Sequence, residues 1–401
     1  MSDRPVRSQR LAALPPYLFV DIDRKRRARI AAGADVINLG VGDPDRPTPS
    51  FILDAMNTAM RQPVHHQYPP NEGTKEFREA AARFMHKRFG VTADPARHIL
   101  TCIGTKEGIG HLPLAVVNPG ETVLIPRPCY PVYVAGATFA GARIHEIPTS
   151  SETGWKPVLD RIPDDIASSA RLMWINYPNN PTGATADINF FSRVVEFTSK
   201  RGIILASDQA YSEVYFENMP VSLWQAAGAS LDATMGIEFH SLSKTFNMTG
   251  WRVGFAVGHP EIIAALAAIK GNLDSGQFGA IQAAGAVALD NVDHPDVVNM
   301  RAVYRERRDA LIPGLRNIGC EVQPPGAGFF VWAQCPLGAD GKPLDSMRFA
   351  ARALEEADVV VVPGAGFAEE ARTFFRIALT VETPRIVEAV QRLSRVDWKR
   401  T

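Results

Sequence analysis

The sequence predicts an α/β protein in two parts: a large domain whose mostly parallel sheet lies between helices, and a smaller α+β domain. Three observations predict it. Between residues 99 and 206, short runs of Val, Ile and Leu alternate with stretches of helical period, the pattern of strands buried on both faces by crossover helices. The chain of 401 residues is longer than one small core organises, so a second domain follows from length. Beyond residue 295 the order changes to one long helix, short strands and flanking helices, the pattern of an antiparallel sheet with helices segregated from it.

Residues 1–50 read as an N-terminal arm that also supplies part of the small domain. It carries Leu14-Pro-Pro-Tyr17, a helix over Leu18–Ala32, the stretch Val36-Ile-Asn-Leu39 and the turn Gly40-Val-Gly-Asp-Pro-Asp45. Gly40-x-Gly42 lacks a third glycine, so it fails as a dinucleotide fingerprint and reads instead as backbone close to a ligand. The large domain is expected over 51–295. Helices over Phe51–Arg61 and Lys75–Phe89 flank the rigid turn Tyr68–Gly73. Strands are expected at Ile99–Ile103, Val123–Pro126, Ala142–Ile147, Leu172–Ile175 and Ile203–Ala206. Helices lie between them, from Gly104 to Val117, over Tyr130–Phe139 and over Asn189–Lys200. The apolar runs Thr234–Phe239 and Val253–Val257 bracket a polar loop, and helices over Pro260–Lys270 and Phe278–Leu289 follow. The small domain, 296–401, opens with a helix over Val297–Ile318. Strands near Glu321–Val322 and Phe329–Ala333, a helix over Leu344–Ala357, strands Val359–Val362 and Phe374–Leu379 and a helix over Pro384–Val396 complete it. Ligands of open α/β sheets bind outside the carboxyl ends of the strands.

Composition narrows the function. With 43 basic and 43 acidic residues the formal charge is zero, so no nucleic-acid or membrane-surface partner is expected. The four cysteines, at 102, 129, 320 and 335, form no C-x-x-C pair, which argues against a disulfide framework and against a zinc site. No metal is expected. Met1 to Arg10 is polar and precedes no apolar segment, so neither signal peptide nor membrane span is read there, and the cytoplasm is the expected compartment.

The polar loop carries the chemistry. In His240-Ser-Leu-Ser-Lys-Thr-Phe-Asn-Met-Thr-Gly-Trp-Arg252, Lys244 sits beside Ser241 and Ser243 with Arg252 following. A desolvated lysine with cationic neighbours has a lowered pKa and becomes nucleophilic. Lys244 thus reads as a candidate for an imine with the aldehyde of pyridoxal 5′-phosphate or, with Arg252, as a surface residue of a Ser-rich turn. Arg252 and the two hydroxyls suit that cofactor's phosphate. The helix opening at Gly104-Thr-Lys-Glu-Gly108 adds the backbone N–H groups of Thr105 and Lys106. Asp208 follows an apolar strand; it reads either as a helix cap or as a carboxylate that keeps a pyridine nitrogen protonated. Asn180 and Tyr211 can donate to a phenolate oxygen, although Asn-Pro-Thr-Gly is also a sound structural turn. Tyr130 reads as a ring stacked on the cofactor or as an ordinary buried aromatic. Arg376, a charge in the apolar strand Phe374–Leu379, reads as a clamp for a substrate α-carboxylate or as half of an internal salt bridge.

Taken together, Tyr68-x-x-x-x-Gly73, Pro178-Asn-Asn-Pro-Thr-Gly183, Asp208-x-x-Tyr211, Ser241-x-Ser-Lys-x-x-x-x-x-Gly-x-Arg252 and Phe375-Arg-Ile resemble the class I/II aminotransferases of fold type I over essentially the whole chain. Within that group the chain is most similar to the LL-diaminopimelate aminotransferases. Pro15-Pro-Tyr17, Tyr68–Gly73, Ile103–Ile109, Gly236–Gly250 and Lys270-Gly-Asn-Leu-Asp-Ser-Gly276 carry this closer likeness, with Thr105 where serine is more usual and Gln209 where a small residue is. The resemblance implies a seven-stranded sheet in the large domain and a homodimer with shared active sites. It implies Lys244, Asp208 and Tyr211 as catalytic residues. The cofactor would be bound by Thr105, Lys106, Tyr130, Asn180, Asp208, Tyr211, Ser241, Ser243, Lys244 and Arg252, with Tyr68 reaching the phosphate of the neighbouring subunit. Substrate would meet Tyr17, Gly42, Lys106, Asn180 and Arg376, with Glu72 and Asn272 from the partner. The expected reaction is transamination between LL-diaminopimelate and 2-oxoglutarate, in lysine biosynthesis. Aspartate, alanine or aromatic donors, or a lyase on the same scaffold, remain as alternatives.

Overall fold

The computed structural model describes residues 6–14 and 18–400. Tyr17 lies outside them. Strand β1 (Ile37–Asn38) pairs in parallel with Val359–Val360, near the other end of the sequence, so the N-terminal segment is stitched to the C-terminal part of the chain.

The central sheet contains β2 (Ile99–Cys102), β3 (Thr122–Arg127), β4 (Arg143–Pro148), β5 (Ala170–Asn176), β6 (Ile204–Asp208), β7 (Gly236–Ser241) and β8 (Gly254–Gly258), in the order β2-β8-β7-β6-β5-β3-β4. Side chains alternate across it. Met173 and Leu205 enter a cluster with Phe77, Phe84 and Phe191, while Trp174 and Ala206 enter a second cluster with Ile109, Leu112 and Leu266. Both faces are therefore dry, as parallel strands require. The covering helices begin and end where their sequences direct. Thr74 accepts the Phe77 N–H at the start of Lys75–Phe89, and Gly90, at φ 69°, ends it. Asp187 caps Ile188–Ser199 in the same way.

The polar loop of the sequence reading is more ordered than expected: β7 runs to Ser241, and a single helical turn, Leu242–Thr245, carries Lys244. Strand β8 also departs from the parallel pattern, running antiparallel to both β2 and β7. The reason is the short connection 242–253, which is tight for the crossover that a parallel return needs. Its consequence is positional. Because β8 is reversed, its first residue, Gly254, lies opposite both Cys102, the last of β2, and Ser241, the last of β7. Arg252 thereby arrives at the carboxyl edge of the sheet, beside the start of helix Thr105–Val116.

A long helix, Pro295–Asn317, leads to a second, antiparallel sheet made of β9 (Glu321–Val322), β10 (Phe330–Gln334), β12 (Val362–Pro363) and β13 (Phe374–Ala378), while β11 (Val359–Val360) is the partner of β1. The single strand expected over Val359–Val362 thus divides between two sheets. A third apolar cluster, with Leu311, Phe349, Phe375 and Ile377, fills this part. Among the described residues no helix is long and apolar enough to cross a membrane.

The stretch leaving β6 is bound to both parts. Tyr215 forms an antiparallel bridge with Ala327. Glu213, with a side chain 1% exposed, is clasped by Arg88 at 2.9 Å and Arg301 at 3.0 Å, and Arg301 also donates to the Glu213 carbonyl. Removing one partner from a buried ion cluster leaves the others uncompensated, at a cost of about 3–5 kcal/mol. Glu213→Ala is expected to lower stability by that amount in equilibrium urea unfolding; a loss below about 1 kcal/mol, the range of surface pairs, would remove the clasp from this account.

Candidate active site

One cavity of about 540 Å³ opens at the carboxyl edge of the central sheet, and its lining includes Lys244, Asp208, Arg252 and Arg376. Thr105, Lys106, Tyr130, Asn180, Tyr211, Ser241, Ser243 and Gly42 face the same space. Residues from seven separate segments of the sequence reading are therefore brought together. Tyr68, Glu72 and Asn272 are not among them. All three are exposed, and Tyr68 is 89% exposed. They share a surface nonetheless, since a Cβ on Gly271 would lie 3.0 Å from Asn71 Nδ2 and one on Gly276 would lie 3.1 Å from Pro69 Cγ.

Lys244 Nζ donates to the Gly42 carbonyl at 3.0 Å and lies 5.6 Å from the centre of the Phe329 ring. Burial pushes its pKa down to about 8; the charges of Arg252 and Arg376 act in the same sense and Asp43 opposes them. Gly42 is required where it stands: a Cβ there would come within 2.3 Å of Phe330 Cζ.

One end of the cavity is an anion cup. Ser241 caps the turn that carries Lys244, accepting the Ser243 N–H, and Thr105 begins helix Thr105–Val116, whose first N–H groups have no partner within the helix. Gly104, at φ 71°, makes the turn into that helix, and the Arg252 guanidinium lies directly across it, so that an added Cβ would sit 2.1 Å from Nη2. Hydroxyls, a helix N-terminus and a guanidinium together form a donor set suited to phosphate.

Asp208 ends β6 and is 4% exposed. Its two hydrogen bonds come from neutral donors, Tyr133 Oη at 2.7 Å and the Ala210 N–H at 3.0 Å. Burial raises its pKa, and these bonds hold the rise back. A carboxylate so placed is suited to a cationic nitrogen arriving from the cavity. Asn176 fixes the neighbouring loops, donating to the Asp208 carbonyl and accepting the Asn180 N–H. Burial raises the pKa of the Tyr211 hydroxyl, and the nearby Arg376 and Asn180 side chains hold the rise back.

Arg376, 4% exposed, closes the other end. It donates to Asn180 Oδ1 at 2.8 Å and to the Gly40 carbonyl at 2.9 Å, and its guanidinium lies 4.1 Å from the centre of the Phe330 ring. A larger cavity of about 920 Å³, lined largely by apolar residues such as Leu114, Val132 and Phe139, adjoins this one and shares Lys106, Arg252 and Phe367 with it.

Sequence reasoning did not single out Tyr133, Phe330, Phe367 or Asp43. Tyr133 stands three residues after Tyr130, which was the available signal. The others are placed by contacts between distant segments, which no local pattern encodes.

Residues 34–393 match the profile of the family described as Aminotransferase class I and II. The chain is 47% identical over 390 residues to the LL-diaminopimelate aminotransferase of Aquifex aeolicus, covering 97% of this chain and 98% of that one. Among solved structures, substrate-bound BacF from Bacillus subtilis is similar at TM-score 0.92 and 33% identity, with 99% of each chain covered. A double mutant of Thermus thermophilus aspartate aminotransferase is similar at TM-score 0.90 and 28% identity, covering 98% of this chain and all of that one, 100%.

The lowered pKa of Lys244 has a measurable sign. The folded protein disfavours its ammonium, so the reactive neutral amine accumulates at lower pH than for an ordinary lysine. In protein freed of any cofactor, labelling of Lys244 by a small amine-directed reagent, read by peptide mass spectrometry, is expected to be half-maximal near pH 8. A midpoint at the ordinary lysine value of 10.5 would show that the amine is not desolvated.

Proposed function

The chain belongs to the class I and II aminotransferases, and from that premise we propose that it moves an amino group between LL-diaminopimelate and 2-oxoglutarate, with pyridoxal 5′-phosphate as its cofactor, in lysine biosynthesis. The observation that carries the reading is the meeting of one desolvated amine, one buried carboxylate with neutral partners, one phosphate-type cup and one buried arginine in a single cavity. The relatives named for LL-diaminopimelate supply the choice of donor.

The residues present fit the cofactor. Thr105, Lys106, Ser241, Ser243 and Arg252 would hold its phosphate, Asp208 its ring nitrogen and Asn180 and Tyr211 its phenolate oxygen, with Tyr130 against the ring. When bound, the cofactor supplies an aldehyde for amine exchange and an electron-poor ring for charge developing at the substrate's Cα. Lys244, half in its neutral form near pH 8, is the base that takes the Cα proton at Nζ. Asp208 keeps a positive charge on the ring nitrogen, and its own burial makes that pairing strong. Arg376 orients the substrate by two parallel hydrogen bonds to its α-carboxylate. Glu72 and Asn272, exposed and grouped with Tyr68 on one surface, would complete the site of a second copy in a homodimer and recognise the far amino and carboxyl groups of diaminopimelate. The division into an arm at 1–50, a cofactor domain at 51–295 and a small domain at 296–401 is supported by the separate sheets and clusters. A cytoplasmic location is supported by four buried cysteines, none in a disulfide.

The test is a panel of amino donors assayed with 2-oxoglutarate on the cofactor-loaded enzyme. LL-diaminopimelate is expected to give the highest kcat/KM; a preference for aspartate, alanine or an aromatic donor would replace the substrate, and release of ammonia or pyruvate without an oxo acid would replace the reaction class. Lys244→Ala is expected to lose turnover by roughly 10²–10⁴-fold or more, the contribution of a positioned base. Arg376→Ala is expected to raise KM for every donor by roughly 10- to 100-fold, as loss of charge-assisted hydrogen bonds implies, and an unchanged KM would remove the clamp.

A further inference from the structure

We propose that Lys270 is a positioning residue for the phosphate end of the cavity, an inference that rests on the cofactor reading above. Lys270 lies in the last turn of helix Pro260–Leu273 and is 1% exposed, an uncommon burial for a lysine. Its Nζ donates to Glu107 Oε2 at 2.9 Å and to Asp274 Oδ2 at 3.2 Å. Glu107 stands in the first turn of helix Thr105–Val116, and the same Oε2 accepts the Ile103 N–H at 3.0 Å while Oε1 meets His111 Nδ1 at 2.7 Å. Asp274 in turn accepts the Gly276 N–H at 2.8 Å. Glu107, His111 and Asp274 each offer an atom within 4.8 Å of one another, a spacing that would suit a metal ion. The Lys270 ammonium already stands against both carboxylates, and it is the cation of this cluster.

Its position gives it a task beyond stability. A carboxylate in the first turn of a helix is favoured by the helix dipole, but Glu107 shares that helix start with the anion cup, where it repels a phosphate dianion unless its charge is offset. Lys270 supplies the offset. Through the Ile103 N–H, the same carboxylate also holds the turn Cys102–Gly104 that Arg252 lies across. The charge beside the cup and the shape of its rim therefore both depend on one buried ammonium, whose other bond holds the turn following Asn272.

The test compares two ligands with the apo protein, pyridoxal 5′-phosphate and pyridoxal, which lacks the phosphate, each titrated to equilibrium by quenching of intrinsic fluorescence. Lys270→Met is expected to raise the Kd for pyridoxal phosphate about tenfold and that for pyridoxal by no more than about twofold, the size of a helix-terminus charge effect. Glu107→Gln is expected to bind pyridoxal phosphate at least as tightly as the wild type. The double variant is expected to return to within about threefold of the wild type, because the charge that needed an offset is gone. Equal losses for both ligands, no loss in Lys270→Met, or a loss in Glu107→Gln as large as in Lys270→Met would each overturn the assignment and leave Lys270 a structural ion pair. Should Lys270→Met not fold, Glu107→Gln and the double variant still decide, since weakened phosphate binding in both contradicts the proposal. A wild type that binds neither ligand would instead remove the cofactor reading, and this inference with it.

Discussion

Four cations, Lys106, Lys244, Arg252 and Arg376, face one cavity, and the rest of the site answers the cost of that arrangement. Like charges around one space repel, and the burial of Arg376 and the desolvation of Lys244 weaken the screening by water. The protein relieves the repulsion in two ways. Lys244 gives up its proton at lower pH, chiefly through burial and with a smaller push from Arg252 and Arg376, while the guanidiniums, which cannot, are placed at opposite ends beside neutral acceptors: the Thr249 carbonyl for Arg252, and Asn180 Oδ1 and the Gly40 carbonyl for Arg376. Each guanidinium is then a place for an anion, and the space between them holds a neutral amine. The same electrostatics that makes the cavity costly when empty of anions makes it receptive to a ligand with negative charge at two ends.

The topology that achieves this is a single reversal. Parallel strands alone would gather Asp208 and Ser241 at the carboxyl edge, since both end their strands. Arg252 precedes β8 and would fall at the opposite edge of an all-parallel sheet. Turning β8 antiparallel brings the residues before it to the same edge as the residues after β2 and β7, and the cup is assembled from three consecutive places in the strand order.

Much of this was legible in the residues. Helix Lys75–Phe89 was readable to the residue because its cap, apolar face and terminal glycine agree. The lysine, the aspartate and the two arginines of the cavity stood out because each is a polar group beside an apolar strand, which water-driven packing alone does not explain. The direction of β8 was not legible from its composition, since strands of either direction use the same side chains when both faces are buried. The short connection 242–253 was the usable sign. Tyr133 against Asp208 and Lys270 against Glu107 were illegible for a different reason: a tyrosine in a helix and a lysine near a helix end are ordinary residues until a partner 75 or 163 positions away turns them inward.

The seam between the two sheets follows from the same interactions. Arg376 belongs to β13, opposite Trp332 in β10 and Val362 in β12, yet its hydrogen bonds reach Asn180 and Gly40. Phe330 of β10 reaches the cavity as well, and Tyr211, beside Asp208, packs edge-on against it with ring centres 5.7 Å apart. The C-terminal sheet is thus joined to the central one at the cavity by neutral acceptors and ring edges. Arg376, which belongs to β13 and donates to Asn180 and to the Gly40 carbonyl, ties the two parts together at the cavity itself through bonds strengthened by its charge. On the proposed reading of Arg376, a substrate carboxylate and the C-terminal sheet would share one anchor at the cavity that holds Lys244.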